Sequence, residues 1–596
     1  MDPGPVQKHS SGACRRCHGR KVRCDRSKGS PCSNCRATGA YCVPYEKHRP
    51  QRRRVNKPLA PLPAKVADTL QTASQGVLAE EQKLQCSPPQ SNAFHDSTTT
   101  PAQPTPHTGT ANASTASPAS LIQIDDSTVK RHLVEMLSQD DVDSRIMQSG
   151  VRIAYVGHEY SNINYLIRHR TKNPSVHHFP ANQISRHYTS HELERIPKEA
   201  FALPSRTLVD ELLEQYFIHV NPGFPILDEE IFMAQYRARN PQNPPSLLVL
   251  QAVLMVGAHI ARDRPDRDTL KAMFFRRAKM LFDARFEWNR DVVVQAALLL
   301  TWHSEGVEDV GANSYHWVGI AARTALGLGM HRDCGSSTLV AHDKRIWRRV
   351  FWILVQFDVI VSLSYGRPQA VNLDECDVPP LTVADFKGIG RLAQVDFVIQ
   401  HTELCARMSK ILRDHLRPGL SEESHLNSLT TADELLADWW SCLPSHLRAR
   451  SAESTIWSKM LLLTYNNFLI LLHRPPPAKA ATSSISRSYD SGDICSSAAN
   501  TITDLFDQLR ENNEIRFLWI SSVNVLFTTL IQLSAEMRTA NPILAVDALR
   551  RFDVALECLS ILAEYWLNAE IILRLFEESS ERLQQELKIG RSSDGW

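Results

Sequence analysis

The 596-residue sequence lacks the features that would direct it outside the cell or into a membrane. Its N-terminus has neither an apolar core nor a small-residue cleavage site, so we expect no secretory signal. The strongest apolar runs, Val350–Leu363 and Phe517–Leu533, are broken by polar residues, and we predict buried helices there and no membrane partner. Without export, clustered cysteines indicate metal ligands rather than disulfides.

Catalytic motifs are also absent from the sequence. It contains no H-E-x-x-H, no phosphate-cradling glycine loop and no G-x-S-x-G. The Gly327-Leu328-Gly329 stretch is a fragment of a nucleotide-binding motif at best, and helix packing explains it better. We therefore expect that the protein is not an enzyme. The alternative is an enzyme or metabolite-binding protein with a basic anchor, and no motif in the sequence supports it.

Charge is distributed unevenly along the chain, although the net charge is only +2. Residues 1–57 contain fifteen lysines and arginines against three acidic residues, whereas the remainder contains 52 basic and 62 acidic residues. A small basic head on an acidic body indicates that the head contacts a polyanion.

Six of the thirteen cysteines lie within 29 residues and form a repeat. The ligand spacing C-x2-C-x6-C occurs twice, over Cys14, Cys17, Cys24 and over Cys32, Cys35, Cys42. Structural zinc takes four ligands, so six thiolates satisfy two tetrahedral ions only if two sulfurs are shared. The repeat makes Cys14 and Cys32 the symmetric choice for the bridges. A disulfide knot, or two separate zinc sites that recruit nearby histidines, are weaker interpretations.

The stretch from Cys14 to Asp25, together with Pro31–Cys35, resembles the fungal Zn(2)-Cys(6) binuclear-cluster family. The resemblance implies two zinc ions per chain, bridging by the first and fourth cysteines, and binding to double-stranded DNA. It also implies that two adjacent basic residues after the second cysteine read CGG-type triplets in the major groove. Those positions are Arg20 and Lys21 here.

Basic residues surround the predicted metal core. Arg20 and Lys21 can donate to the O6 and N7 acceptors of guanine, although contact with phosphate alone is an alternative. The other predicted DNA-binding residues are Arg15, Arg16 and Arg23. The basic strap that follows, Lys47–Lys57, is interpreted as a backbone contact and a nuclear import signal, or as a plain solvated linker.

Helical periodicity dominates the rest of the chain. Apolar residues recur on one helical face over Leu208–Val220. Further helices are predicted over Asp291–Trp302, Trp317–Leu328, Ile346–Leu363, Leu461–Leu472 and Val546–Leu567. Few alternating strand patterns occur, and the small polar residues of Ala478–Ser497 predict a surface loop. We expect Trp347, Trp352, Trp439 and Trp440 to serve the core or an interface.

Several stretches of the body resemble the fungal-specific transcription factor domain, over about residues 205–480. They are Trp317–Arg323, Leu326–His331, Arg345–Trp352 with Asp358, Gly366–Pro368, Asp374–Pro379 and Leu472–Pro475. Arg152–Gly157 and the polar and aromatic residues at 161–166 further resemble the cutinase-transcription-factor-like branch.

The predicted fold is a small zinc binuclear-cluster DNA-binding module plus a large all-α regulatory domain, joined by a disordered linker. The predicted segments are a disordered N-terminus at 1–13, the zinc module at 14–42, a basic linker at 43–58, a weak coiled-coil candidate at 59–86, a disordered low-complexity linker at 87–120 and the helical domain at 145–590.

The predicted function is sequence-specific transcription regulation in the nucleus, as an activator of a biosynthetic or catabolic gene set. A repressor, or a DNA-bound scaffold that acts through partner contacts, is the alternative. The expected partners are DNA, the transcription machinery and a second copy of the chain, although the poor heptad leaves binding as a monomer open.

Overall fold

The protein separates into two compact units, Met1–Thr115 and Ala116–Trp596, in a computed structural model. Residues 14, 16–17, 20–22, 24–25, 31–38 and 41–43 of the first unit are described by the structure. In the second unit the described residues are 153–157, 160–168, 178–180, 193–238, 240, 243–261, 264–304, 313–415, 421–448, 454–474, 491–539 and 541–578. The predicted segments at 1–13, 59–86 and 87–120 lie outside the described residues.

Helices account for most of the regular structure that is described. The first unit contains α1 (Ser33–Ala37). The second contains α2 (Asn162–Arg168), α3 (Arg206–His219), α4 (Glu229–Ala238), α5 (Leu247–Ile260), α6 (Arg267–Asp283), α7 (Arg290–Leu300), α8 (Ser314–Leu328), α9 (Ala341–Tyr365), α10 (Val395–His415), α11 (Glu422–Cys442), α12 (Ser445–Arg448), α13 (Ile456–His473), α14 (Ser491–Glu511), α15 (Ser521–Glu536), α16 (Pro542–Ala563) and α17 (567–578). The predicted helical body is confirmed.

Helix starts follow from capping side chains that the sequence places there. A serine, threonine or asparagine side chain accepts a backbone N–H at the start of six of these helices, namely Ser205, Ser246, Asn313, Ser421, Thr455 and Asn541. Each such cap contributes about 1 kcal/mol of helix stability. Polar first turns explain why α9 begins five residues before its predicted start at Ile346, since the prediction relied on apolar residues alone.

The core of the second unit is built around helices that are apolar on every side. Thirteen of the fourteen residues of α5 are buried, and Gly257 lets it approach α3 closely. A Cβ at Gly257 would lie 2.2 Å from the carbonyl oxygen of Leu212. Phe224 follows α3 and packs against three other helices, α9, α10 and α13. Its ring lies edge-on to those of Phe357, Phe397 and Trp457 at centroid distances of 5.3–6.3 Å. One continuous core therefore supports the whole helical body.

The predicted core tryptophans are found in that core. Trp347, Trp352 and Trp439 are buried, and Trp440 stacks on Tyr465 with ring centroids 5.0 Å apart. None of the described helices is long and apolar enough to cross a lipid bilayer.

A short antiparallel sheet corrects the expectation that the body is entirely α. Strands β1 (Ile153–Tyr155) and β2 (His178–Pro180) pair in the register Ile153 to Pro180 and Tyr155 to His178. The strands escape sequence analysis because three residues are too few to show alternation. His178 Nε2 lies 2.9 Å from the carbonyl oxygen of Gly329, which ends α8 in the left-handed region at φ +74°. The sheet is thus anchored to the end of α8.

Two predicted boundaries are also wrong. Residues 491–497, predicted as loop, form the first turns of α14, because Cys495, Ala498, Ala499 and Ile502 supply a buried helical stripe. The last predicted helix, Val546–Leu567, is two helices, since α16 ends at Ala563 and α17 starts after a turn. The fragment Gly327-Leu328-Gly329 lies at the end of α8, where Gly329 is the left-handed cap.

His401 provides a test of the core through its protonation. Its Nδ1 lies 2.8 Å from Gln356 Oε1 and its Nε2 lies 3.2 Å from Thr464 Oγ1, and burial lowers its pKa to about 3. In the unfolded chain this histidine takes up a proton near pH 6.5, whereas in the folded chain it stays neutral until about pH 3. Protonation therefore favours the unfolded chain, and the free energy of unfolding falls as the pH drops from about 6.5 toward 3.

We expect His401→Gln to flatten the dependence of unfolding free energy on pH. Wild-type stability should fall more steeply than that of the variant between pH 6.5 and 5, by up to about 1.4 kcal/mol per pH unit. Urea titrations at each pH measure the difference. His446, which is exposed beside Asp396, is the control for substitution. Parallel curves for wild type and His401→Gln would contradict the assignment.

Candidate zinc cluster and nucleic-acid interface

The six N-terminal cysteines come together in two overlapping groups of four. One group is Cys14, Cys17, Cys24 and Cys32, and the other is Cys14, Cys32, Cys35 and Cys42. Within each group the sulfur atoms all lie within 4.8 Å of one another. Cys14 and Cys32 belong to both groups, and their Sγ atoms are 3.8 Å apart. These are the two residues that the spacing argument selects for sharing.

The backbone repeats around the cluster in the same way as the cysteine spacing. The N–H of Cys17 donates to Cys14 Sγ and the N–H of Cys35 donates to Cys32 Sγ, both at 3.4 Å. The N–H of Cys14 donates to Cys24 Sγ at 3.4 Å, and the N–H of Cys32 donates to Cys42 Sγ at 3.3 Å. The two halves are therefore related in structure as well as in sequence.

These N–H donors favour thiolates at the two shared positions. The N–H of Cys17 lowers the pKa of the Cys14 thiol to about 6. The N–H of Cys35 likewise lowers the pKa of the Cys32 thiol. A backbone N–H that points at sulfur stabilises the charged form, which is the form that binds metal.

Two polar residues that the sequence analysis did not select hold the halves together. Asp25 Oδ1 accepts the N–H of Ser33 at 2.9 Å, in the first turn of α1. The bond to Ser33 lowers the pKa of the Asp25 carboxyl group. Asn34 Nδ2 lies 3.9 Å from Cys17 Sγ, the length of a weak N–H to sulfur bond. Asp25 directly follows Cys24, and this position next to a predicted metal ligand is the sequence feature that could have identified it.

The end of the first helical turn exposes two of the predicted DNA-binding residues. The N–H of Arg20 donates to the carbonyl of Arg16, and the N–H of Val22 donates to the carbonyl of Cys17, both at 3.1 Å. Lys21 lies between them in the left-handed region at φ +54°. This pattern of bonds ends a helix, and it usually has glycine at the left-handed position.

The basic side chains of this turn point away from the sulfur cluster. Arg16, Arg20 and Lys21 are exposed, whereas Cys14, Cys17, Cys32 and Cys35 are at most 2% exposed. Arg15, Arg23 and the strap at Lys47–Lys57 lie outside the described residues. The part of the unit that the structure describes is thus a sulfur core with cations on its surface.

The residues present fit a pair of zinc ions. Cysteine sulfur is a preferred zinc ligand, and structural zinc sites are closed four-ligand sites. Two groups of four that share two members match two such sites. The core of this unit consists of the cysteines themselves, with Cys24 and Cys42 packed against the other four. Because the described part of the unit has no aliphatic core, we expect its fold to depend on metal.

Both parts of the chain match known protein families. Residues 12–52 match the fungal Zn(2)-Cys(6) binuclear cluster domain, which binds two zinc ions. Residues 213–460 match the fungal specific transcription factor domain. A double-zinc DNA-binding unit with a helical regulatory body defines the class as a zinc-cluster transcription factor.

Full-length relatives confirm this class. An acetamidase regulatory protein of Aspergillus oryzae is 46% identical over 98% of this chain and 79% of its own length. Its counterpart in Emericella nidulans is 44% identical over 97% of this chain and 78% of its own length. Cutinase transcription factor 1 alpha of Fusarium vanettenii is 32% identical over 97% of this chain and 66% of its own length.

The chain therefore belongs to the fungal Zn(2)-Cys(6) transcription factors, and it is a DNA-binding regulator of transcription. The resemblance to cutinase transcription factors is confirmed, and the acetamidase regulatory proteins match at higher identity.

Proposed function

We propose that Cys14, Cys17, Cys24 and Cys32 hold one zinc ion and that Cys14, Cys32, Cys35 and Cys42 hold the other. The shared membership of Cys14 and Cys32 in both groups carries this assignment. When bound, the metal fixes the unit structurally by closing the two halves on each other. Asp25 and Asn34 position the halves by bonding across them.

The bridging assignment makes the cysteines unequal. Cys32→Ala removes a ligand from both ions, whereas Cys42→Ala removes a ligand from one. We expect metal analysis of the purified chain to give two zinc ions for wild type, almost none for Cys32→Ala, and an intermediate content for Cys42→Ala. Cys442→Ala, an exposed cysteine of the helical body, is the control. Equal zinc loss in the two ligand variants would contradict the bridge.

DNA recognition is assigned to the turn that follows Cys17. Arg20 and Lys21 are exposed at a helix end, and the major groove is wide enough to admit a helix whose lysines and arginines donate to guanine. We assign them to a CGG-type triplet and assign Arg15, Arg16 and Arg23 to phosphates. Phosphate contacts supply affinity, and base contacts supply sequence choice.

Lys21 offers a way to separate recognition from folding. Lys21→Gly removes the ammonium group and places glycine where the backbone is left-handed, so it relieves backbone strain. Lys21→Ala removes the same group and retains the strain. We expect both variants to lose about 1–3 kcal/mol of binding to a CGG duplex, with a smaller loss on random DNA.

Fluorescence anisotropy on the two duplexes at fixed salt concentration measures that loss. If the losses on CGG and random DNA are equal, Lys21 contacts phosphate. If only Lys21→Ala loses affinity, the effect comes from the backbone rather than from the ammonium group.

At the level of biology, we propose a nuclear activator of a catabolic gene set that includes an acetamidase gene. The identity with acetamidase regulatory proteins over 98% of this chain carries the proposal. The basic strap is assigned to nuclear import, and the helical body is assigned to contacts with the transcription machinery and with a second copy of the chain. A repressor that acts through partner contacts is the second candidate, and no catalytic role is assigned.

A reporter fusion distinguishes activation from repression. Residues 121–596 joined to a foreign DNA-binding domain should raise transcription from a promoter that carries the matching operator. The same fusion on a promoter without the operator is the control. Reduced transcription would support the repressor, and deletion of the gene in the source fungus should lower acetamidase transcript if the target is correct.

A further inference from the structure

A cleft between helices of the body has no role in the functions described above. It lies where the start of α5, the end of α6, the start of α7 and the middle of α8 meet, and its volume is about 280 Å³. Its apolar side is the partly exposed ring of Phe282, with Leu248 and Val293 buried beneath the surface of the cleft. Phe282 is held by edge-to-face packing against Trp317, at a centroid distance of 5.3 Å. The size suits a molecule of a few carbon atoms.

Two arginines give the cleft its polar side. Arg285 and Arg290 both line it, with Arg285 exposed and Arg290 half-buried. Among the residues that the structure describes, neither guanidinium has a hydrogen-bond or ion-pair partner. An arginine carries five donors in a planar fork that matches a carboxylate or phosphate. Two such forks that line one cleft can both donate to a single carboxylate or phosphate.

The two acidic residues of the cleft are already engaged by the protein. Asp283 pairs with Lys279 at 2.6 Å, on the last turn of α6. Glu287 accepts the hydroxyl of Ser246 at 2.6 Å and the N–H of Asn289 at 3.0 Å. Lys279 offsets the charge of Asp283, whereas the donors to Glu287 are neutral and leave its charge in place, so the two arginines leave the cleft with one net positive charge.

The backbone at Arg285 is a second, independent sign of function. Arg285 has φ +54°, in the left-handed region where glycine is favoured. The N–H of Phe286 donates to the carbonyl of Leu281 at 2.9 Å, which is the helix-ending bond that normally accompanies glycine. Arginine at this position gains nothing for the turn, and its side chain points to a role in the cleft.

We propose that this cleft binds a small organic monocarboxylate, with the carboxylate on Arg285 and Arg290 and a short apolar body against the ring of Phe282. The helical body then carries a small-molecule site that is separate from the zinc cluster. The proposal is independent of whether the protein activates or represses transcription, and a reporter result cannot decide it.

The experiment is isothermal titration of the full-length chain with butanoate at low salt concentration. We expect saturable binding that is at least about tenfold tighter than for inorganic phosphate, which lacks an apolar body, or for butylammonium, which has the wrong charge. Failure of butanoate to bind would overturn the proposal. Phosphate binding as tight as that of butanoate would overturn the role of the apolar wall.

Two variants locate the site, and one matched variant serves as the control. Arg285→Gly should weaken butanoate binding about tenfold while the thermal midpoint stays the same or rises, because glycine suits the left-handed turn. Arg290→Gln, outside that turn, should weaken binding similarly. Arg276→Gln removes an exposed arginine of α6 that does not line the cleft, and it should bind as wild type does. Unchanged affinity in both site variants would overturn the proposal.

Discussion

The described part of the N-terminal unit is organised around two sulfur atoms that belong to both groups of four. Cys14 and Cys32 each belong to both groups of four, and each accepts a backbone N–H from the cysteine three residues later. A segment this short has no room for an aliphatic core, so its described interior is the sulfur cluster itself. The exposed cations of Arg20 and Lys21 owe their position to this interior, because the turn that carries them is tied to Cys17.

Both units contain residues other than glycine in the left-handed backbone conformation. Lys21, Arg285 and Asn513 are the non-glycine residues with positive φ in the part of the chain that the structure describes. Each stands where a helix ends, with the following N–H bonded back to a carbonyl five residues earlier. Asparagine tolerates this conformation, whereas lysine and arginine gain little from it. Cations occur in this strained position at the turn after Cys17 and at the turn that lines the cleft.

The fold and the site were predictable from sequence to different degrees. Apolar spacing predicts α3, α7, α8, α9 and α13 within a few residues, because each buries a stripe of the common core. The short sheet was not predictable, since three-residue strands carry no period and are held by contacts such as that of His178 with Gly329. The start of α14 at Ser491 was missed because small residues that look like a loop are buried there by neighbouring helices.

The sequence by itself determined the chemistry of the head and the class of the body. Cysteine count and spacing favour two closed metal sites, because six evenly repeated thiolates supply two four-ligand ions when two sulfurs are shared. Tertiary structure alone decided which residues from distant positions meet. Asp25 reaches Ser33 across the cluster, and Leu248, Arg285 and Val293 line one cleft from two helices and a turn. Such contacts depend on how helices pack against one another, and no local pattern in the chain records that packing.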